Sequence, residues 1–502
     1  MILPFCRRFC ACLLVLPGWL AAAARPRLQA EPAAAPLQAL VVGGGPDTSS
    51  NAAQIEGHVR FVASRLPPGA RRVVLFADGK ADTRTVSYTD TGVTAEAERA
   101  LAVLLTDRSS EEGLLDRPAE LGVPVDGPAR LTDFRRALGK LSAQAARGST
   151  PLLLYFAGHG TQDKKSADNT HYDLWDGDEL KVRALADEVS RLPRQVPVVL
   201  VMAQCFSGAF AHVLFTQADI YKAPIKQNVV GFFSTRLDRE ASGCSYATER
   251  ADYQDFSSYF FGALSGQDRF GDKVTGADFD GDGVVTLHEA FCYALIHDLS
   301  ADTPECTSDV FLRHQAFRLN QIVYATPYHE VWQAGTPAQR AALDALSERV
   351  GLGGEARALA IHDRLIYHDP AARPELIKRQ AEARERLRNA RQAALDPLFE
   401  RHPVLRWGSY DTGAYHKDHD GAVADLVEDK GLRRSLIEVA RDSEQAEEAV
   451  ESEEAALLRF ASLYTHIVEA SELRSQGSPE VRARFEQLWQ AEQRPLPLRP
   501  AS

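Results

Sequence analysis

Two side chains capable of nucleophilic catalysis each follow an apolar segment in the middle of the chain. His159 stands between two glycines after the apolar residues 152–157, and Cys205 follows the apolar residues 196–203, 46 positions further on. A thiol is only weakly ionised near neutral pH, so it becomes a nucleophile when a neighbouring imidazole accepts its proton or stabilises the thiolate. If the two side chains meet, the pair could attack a carbonyl carbon.

The segments around these residues predict a strand–helix–strand unit. Short continuous runs of Val and Leu are typical of strands buried on both faces of a parallel sheet, and residues 180–192 between them have apolar positions at helical spacing. Parallel strands joined in this way end at the same edge of the sheet, where open α/β folds place their sites. We therefore expect His159 and Cys205 to lie side by side.

The same edge would offer main-chain hydrogen-bond donors. The N–H groups of Gly160 and Cys205 are candidates for an oxyanion hole, in which each donor typically contributes ~3–4 kcal/mol of transition-state stabilisation. Taken alone, Cys205 could be a buried apolar thiol and His159 a loop histidine. Their joint position at two strand ends, each beside a glycine, favours catalysis.

These motifs carry a family resemblance. Gly158-His159-Gly160 and Gln204-Cys205-Phe206-Ser207-Gly208 resemble the His and Cys motifs of caspase-like cysteine peptidases, the legumain-type branch more than caspases proper. Caspases have Gln-Ala-Cys where this chain has Ala203-Gln204-Cys205. The resemblance covers residues 37–325. It implies a caspase-like three-layer α/β/α fold with a mostly parallel central sheet, and cleavage of a peptide or protein substrate through a thioester acyl-enzyme.

The resemblance also implies a specificity pocket. Residues 239–242 and 245–247 resemble the legumain segment that lines it, and residues 255–258 resemble the segment with the pocket aspartate, so Ser242 and Asp255 are the candidate substrate-binding residues. Roles as ordinary loop or N-cap residues are the alternative. Asn51 corresponds to the catalytic-loop asparagine, but Ala52-Ala53 replace the Arg-His pair that follows it in the family. An acidic pocket would suit Arg or Lys as well as asparagine.

Residues 278–289 match the twelve-residue EF-hand loop, whose pattern is Asp-x-Asp-x-Asp-Gly followed by Glu at position 12. Calcium prefers six to eight oxygen ligands, and this loop supplies them from carboxylates, one main-chain carbonyl and one position often bridged by water. The candidate ligands are Asp278, Asp280, Asp282, Val284 (through its carbonyl), Thr286 and Glu289. Residues 286–299 predict the exiting helix, whereas residues 271–277 do not look helical, so we expect a structural half-hand. A turn held by Asp side chains without metal is the alternative.

Composition and the N-terminus constrain class and compartment. The 502 residues suffice for two or more domains, and the net charge of −12 argues against a nucleic-acid partner. Arg7-Arg8, the apolar residues 9–20 and the small residues 21–24 predict a signal peptide over 1–24, followed by a flexible leader over 25–36. We expect a secreted or periplasmic protein; an uncleaved membrane anchor is the alternative. Cys292 and Cys306 could form a disulfide in an oxidising compartment.

The composition changes near residue 328, after which Ala, Glu, Arg and Leu dominate. We therefore divide the chain into a peptidase domain over 37–327 and an all-α accessory domain over 328–502, with helices predicted at 336–349, 374–402, 432–472 and 479–493. These helices could bind a protein partner, attach the protein to the envelope or cap the cleft. The His and Asp residues at 416–420 and the pair His362 and His368 could hold a metal, but solvated surface is the simpler interpretation.

The sequence therefore predicts a secreted cysteine endopeptidase with a His159–Cys205 dyad and a structural Ca²⁺ site, without an organic cofactor. A catalytically inactive calcium-binding adaptor on the same fold is one alternative. A transpeptidase that uses the same dyad is another. A reactive thiolate, alkylated by iodoacetamide at mildly acidic pH, would distinguish the enzyme from the adaptor.

Overall fold

The computed structural model describes residues 37–106, 113–148, 150–315, 320–367, 373–407 and 413–498. The expected signal peptide and leader, over 1–36, and His368 lie outside the described residues. The strands in chain order are β1 (Gln38–Gly44), β2 (Arg71–Phe76), β3 (Arg84–Thr89), β4 (Leu114–Pro118), β5 (Leu152–Gly158), β6 (Gly160–Thr161), β7 (His171–Asp173), β8 (Glu179–Lys181), β9 (Val198–Ala203), β10 (Val229–Phe233) and β11 (Glu305–Cys306).

Helices surround these strands and dominate the C-terminal part of the chain. They are α1 (Ala53–Arg65), α2 (Val93–Thr106), α3 (Leu131–Gly148), α4 (Val182–Ser190), α5 (Phe256–Ser265), α6 (Leu287–His297), α7 (Thr307–Gln315), α8 (Asn320–Tyr324), α9 (Tyr328–Ala334), α10 (Pro337–Arg349), α11 (Arg357–Tyr367), α12 (Pro374–Arg401), α13 (Gly413–Glu428), α14 (Lys430–Gln476) and α15 (Pro479–Glu492).

A six-stranded sheet forms the centre, in the order β11-β10-β9-β5-β1-β2. Its strands are parallel except for β11, which pairs antiparallel with β10 at one edge. β5 and β9 lie in the middle, where both faces are covered, and this explains their continuous apolar sequences. The predicted α/β class with a mostly parallel sheet and a C-terminal helical region is confirmed.

Alternate residues of the central strands enter two separate cores. Leu154 and Phe156 of β5 and Leu200 of β9 pack with α3 and α4 on one face. Tyr155 of β5 and Val201 of β9 pack with α1, α5 and α6 on the other. Because successive side chains of a strand point to opposite faces, these all-apolar strands carry helices on both sides.

The helix α14 spans 47 residues, about 70 Å at 1.5 Å per residue. Near its start, Leu436 and Ala440 pack with α2, α12 and α13. Further along, Phe460 and Tyr464 belong to a core of the central sheet that also includes residues of α6 and α10. The C-terminal helices and the α/β part thus share apolar cores. Within the described residues, no helix has both the length and the apolar character needed to cross a membrane.

Two segments have more regular structure than their sequences indicate. Residues 78–128 contain α2 and the strands β3 and β4, which pair antiparallel with each other. Their short, half-polar sequences conceal the pattern, because β4 has no fully buried residue. Residues 416–420 lie inside α13, where most of them form the solvated face of the helix.

Candidate functional site

His159 and Cys205 occupy equivalent positions at the ends of two hydrogen-bonded parallel strands. The last paired residues of β5 and β9 are Ala157 and Ala203. His159 and Cys205 each follow two positions later. Because neighbouring strands lie about 4.8 Å apart, this register puts both residues at the carboxyl edge of the sheet, at the ends of adjacent strands.

Gly160 makes the contact between the two strand ends close. A Cβ atom placed on Gly160 would lie 2.3 Å from the carbonyl oxygen of Cys205 and 2.9 Å from Cγ of Gln204. No side chain fits in that space. The glycine after His159 is therefore required by the approach of the two main chains.

The imidazole of His159 is oriented by the loop after β1. Nε2 of His159 lies 2.7 Å from the carbonyl oxygen of Ser50. A carbonyl only accepts, so Nε2 carries the proton and donates it, which leaves Nδ1 of the neutral ring as a proton acceptor. The next residue, Asn51, is fully buried, and its Nδ2 donates to the carbonyl of Thr85. Sequence reasoning noted Asn51 but missed Ser50, because a main-chain acceptor leaves no residue-type signal.

The sulfur of Cys205 is bound by the segment 239–245. The N–H of Ala241 donates to Sγ at 3.3 Å, and Sγ lies 3.7 Å from the carbonyl oxygen of the same residue. In the part of the chain that the structure describes, no hydrogen bond joins Sγ to the His159 ring. Burial raises the pKa of the Cys205 thiol to about 12, with Cys244, Glu240 and Asp302 adding to the effect and the Ala241 hydrogen bond opposing it. The resting sulfur is thus a thiol.

Main-chain donors are present beside the sulfur. The N–H of Cys205 makes no main-chain hydrogen bond among the described residues. Gly160 pairs with Tyr172 of β7, but the ladder bond beside that pair runs from Asp173 N–H to the carbonyl of His159. This pattern directs the Gly160 N–H away from β7. Both predicted oxyanion donors are therefore available.

The backbone turns sharply directly after Cys205. Phe206 has φ +58°, in the left-handed region that non-glycine residues rarely adopt. Such a conformation costs on the order of 1–3 kcal/mol and is common where a chain exposes a reactive residue. The following residues, Ser207–Leu214, form a buried 3₁₀ helix.

Asp255 and Ser242, the two predicted pocket residues, lie in different environments. Asp255 is buried and caps α5, accepting from the N–H of Ser258 at 2.9 Å and from its hydroxyl at 2.6 Å. Its Oδ1 also lies 3.8 Å from Nδ1 of His58. Ser242 is half-buried, and its N–H donates to Oδ1 of Asp302 at 2.6 Å. The sequence did not predict Asp302, because 60 positions separate it from Ser242 along the chain.

The acidic loop before α6 can gather oxygens around a cation. Ligand oxygens of Asp278, Asp280 and Asp282 lie within 4.8 Å of one another, and two of these residues are exposed. Gly283 has φ +88°, as the tight turn requires. Glu289 accepts from the N–H of Phe279 and belongs to the capping box of α6. The exiting helix is confirmed, and no helix precedes the loop over the described residues 271–277.

Other predicted ligands and thiols do not come together. Cys205, Cys244, Cys292 and Cys306 are free thiols, so Cys292 and Cys306 are not joined. Sγ of Cys306 donates instead to Oδ2 of Asp309 at 3.2 Å. Among the residues described, the three loop aspartates form the one group of His, Cys and acidic side chains with metal-binding spacing, and this group includes neither His362 nor residues 416–420.

Comparisons with known proteins give little guidance. No model of a protein family matches the chain, and no curated protein matches it. Among solved structures, it is similar to the crystal structure of protein GSU0716 from Geobacter sulfurreducens, with 13% identity, a TM-score of 0.30, and coverage of 54% of this chain and 92% of that one. A likeness at this level supports no statement about function.

Proposed function

We propose that this protein is a secreted, caspase-like cysteine endopeptidase of the legumain type, with His159 and Cys205 as its catalytic residues. The observation that carries the proposal is their matched position, two residues beyond the last pair of β5 and β9. The Ser50 carbonyl adds support because it fixes the tautomer in which Nδ1 of His159 can accept a proton.

In the proposed reaction, Nδ1 of His159 takes the proton of the Cys205 thiol as the sulfur attacks the scissile carbonyl carbon. The N–H groups of Cys205 and Gly160 stabilise the oxyanion that forms. The imidazolium then protonates the departing amine, leaving a thioester on Cys205. His159 next removes a proton from water, which attacks the thioester, releases the acid product and restores the thiol.

The sulfur must first leave Ala241 and turn toward the imidazole. Catalytic hydrogen bonds are often long or absent without substrate and tighten in the Michaelis complex, so a resting thiol bound by Ala241 N–H is compatible with this reaction. A raised thiol pKa also favours transfer of the proton during attack over a stable thiolate–imidazolium pair in the free enzyme.

The loop before α6 is proposed as a structural calcium site. Asp278, Asp280 and Asp282 would supply side-chain oxygens, Val284 its carbonyl, and Glu289 a carboxylate, with Thr286 at the position often bridged by water. Three carboxylates this close repel one another without a cation, and the exit helix α6 carries residues of the sheet core. Calcium at this site would therefore stabilise one face of the proposed peptidase.

One observation favours a second function, a catalytically inactive adaptor on the same fold. The Cys205 sulfur is held by main-chain atoms of Ala241 and has a raised pKa, as an inert thiol would. Turnover separates the two functions. A peptide library that varies the residue before the scissile bond is incubated with the wild-type protein and with Cys205→Ala. Cleavage by the wild type alone supports the peptidase; equal products from both proteins exclude it.

The same experiment reports on ligation. An added amine nucleophile would capture the thioester of a transpeptidase, and mass spectrometry would distinguish an amide product from an acid product. Acid products alone, formed in the presence of the amine, would support hydrolysis.

A further inference from the structure

The C-terminal helix α14 reaches the segment that contacts Cys205. We propose that Arg459 of α14 and the buried Asp302 are positioning residues, which hold residues 239–245 as the wall against which the substrate residue before the scissile bond packs. This inference rests on the proposed peptidase function. It gives the C-terminal helices a role inside the site that neither a partner arm nor an envelope attachment would require.

The segment 239–245 lies directly against the candidate nucleophile. The N–H of Phe206 donates to the carbonyl of Arg239 at 2.8 Å, and the N–H of Ala241 donates to Sγ of Cys205 at 3.3 Å. Any substrate bound at Cys205 must therefore meet this segment. Its conformation determines the shape of the adjoining subsite.

Asp302 binds that segment through its buried carboxyl group. Its Oδ1 accepts from the N–H of Ser242 at 2.6 Å, and its Oδ2 accepts from the N–H of Phe256 at 3.0 Å. Asp302 has no exposed surface, so water cannot replace either bond. One carboxylate thus joins the wall to the first residue of α5, next to Asp255.

Arg459 holds the loop that carries Asp302. Its guanidinium is fully buried, and Nε donates to the carbonyl of Asp302 at 2.7 Å. One terminal nitrogen donates to Oδ2 of Asp298 at 3.0 Å and to the carbonyl of Ser300 at 3.1 Å, and the other donates to the carbonyl of Asp298. A planar fork of five N–H donors suits several acceptors of one loop, whereas the single nitrogen of lysine does not.

The same helix offers a matched control. Five residues before Arg459, Glu454 forms an ion pair with Arg239 at 3.1 Å, and both side chains are about 30% exposed. A partly exposed pair contributes less than a fully buried one because water screens its charges. Glu454 therefore touches the same segment from the same helix without the burial on which the inference depends.

The test compares kinetics of Asp302→Asn, Arg459→Lys and Glu454→Gln with the wild type on a cleaved peptide. An amide at position 302 keeps the side-chain shape but presents N–H to an N–H donor, which breaks one of the two bonds. We expect Asp302→Asn and Arg459→Lys to lower kcat/KM at least tenfold, mainly through KM, and to alter the ranking of residues before the scissile bond. Glu454→Gln should stay within twofold.

Two further readouts separate positioning from general loss of structure. Tm identifies the variants that fold, so a change in KM at wild-type Tm does not come from general loss of structure. Should a variant fail to fold, hydrogen exchange of the wild-type Ser242 and Phe256 amides remains decisive: strong protection supports buried bonds to Asp302, and rapid exchange overturns the inference. Unchanged KM in folded Asp302→Asn also overturns it. A wild type without Cys205-dependent turnover overturns the peptidase itself.

Discussion

Nε2 of His159 donates a hydrogen bond of 2.7 Å to the carbonyl oxygen of Ser50, in the loop after β1. This bond joins the carboxyl ends of two neighbouring strands, β1 and β5. It determines which ring nitrogen is free for chemistry, although neither the sulfur nor any substrate takes part in it. The roles proposed for His159 and Cys205 depend on this orientation.

The first prediction concerns the dyad. Cys205→Ala should abolish peptide cleavage, since no other nucleophile replaces the sulfur, and His159→Ala should reduce kcat/KM by about 10²–10⁴-fold, the usual contribution of a positioned acid–base group. Initial rates on a fluorogenic peptide measure both. The matched controls are Cys292→Ala, which removes the buried free thiol of α6, and His329→Ala, which removes a half-exposed imidazole on α9. Wild-type rates in Cys205→Ala would contradict the proposal.

The second prediction follows from the raised pKa of Cys205. The thiolate is the species that reacts with iodoacetamide, so a pKa near 12 in place of about 9 should slow alkylation of the free protein at pH 7 by roughly two to three orders of magnitude. The rate should rise with pH without a plateau below pH 9. Peptide mapping by mass spectrometry measures it, with the urea-unfolded chain as reference. Rapid labelling at pH 6 would instead reveal a thiolate–imidazolium pair.

The third prediction concerns calcium. A ligand that binds only the folded state stabilises it, by about 2.7 kcal/mol at a hundredfold excess over Kd, so EDTA should lower Tm and added Ca²⁺ should restore it. Asp280→Asn is the informative variant. Its amide oxygen can still accept the Asp282 N–H, bonded to Asp280 at 3.1 Å, but the charge that attracts the cation is lost.

Asp280→Asn should therefore abolish most of the calcium-dependent shift in Tm. Asp420→Asn, which changes a carboxylate 85% exposed on α13, is the control and should retain the shift. A metal-free turn gives the opposite result. In that case EDTA has no effect, and Asp280→Asn is neutral or stabilising because repulsion among three aspartates decreases.

The fourth prediction concerns pH and the docking of α15. Glu492, at the end of α15, accepts from the N–H and hydroxyl of Ser308 and from the hydroxyl of Thr307. Burial raises the pKa of Glu492 to about 7. The folded state thus holds the proton more tightly than the unfolded state, so this group's stabilising contribution is complete below pH 4.5 and is lost as pH rises toward 7.

Glu492→Gln removes that titration while keeping the side-chain size. The Tm of the variant minus that of the wild type should increase steadily between pH 4.5 and 7 and then become constant. A rise of the pKa from 4.5 to about 7 corresponds to about 3 kcal/mol of unfolding free energy at most. Glu480→Gln, at the exposed start of the same helix, should show no such trend. Parallel curves for wild type and Glu492→Gln would contradict the prediction.

The parts of the fold that could be predicted from the sequence are those with a recognisable local residue pattern. β5 and β9 are continuous apolar runs because they lie in the centre of a covered sheet, and Pro337, Pro374 and Pro479 mark helix starts that the structure also has. The two strand ends could be paired from topology alone. The exit helix of the acidic loop, predicted over 286–299, is α6.

The parts that were missed depend on contacts between distant residues. Arg459 looks like one of many arginines on a charged helix, and only the tertiary structure brings it to Asp298 and Asp302, more than 150 positions earlier. Ser50 and Ala241 act through main-chain atoms, which any residue could supply. The burial that raises the pKa of Cys205 is likewise a property of the folded chain.

The shared cores along α14 affect how this protein can be divided. A fragment that stops near residue 327 would lack α10, Phe460 and Tyr464, and it would expose apolar residues of α6 that belong to the same core. Such a fragment should aggregate or fail to fold, even though it includes every side chain proposed for bond cleavage. A shortened version of the protein should be truncated only at its two termini and should keep all of α14 and the elements that pack against it.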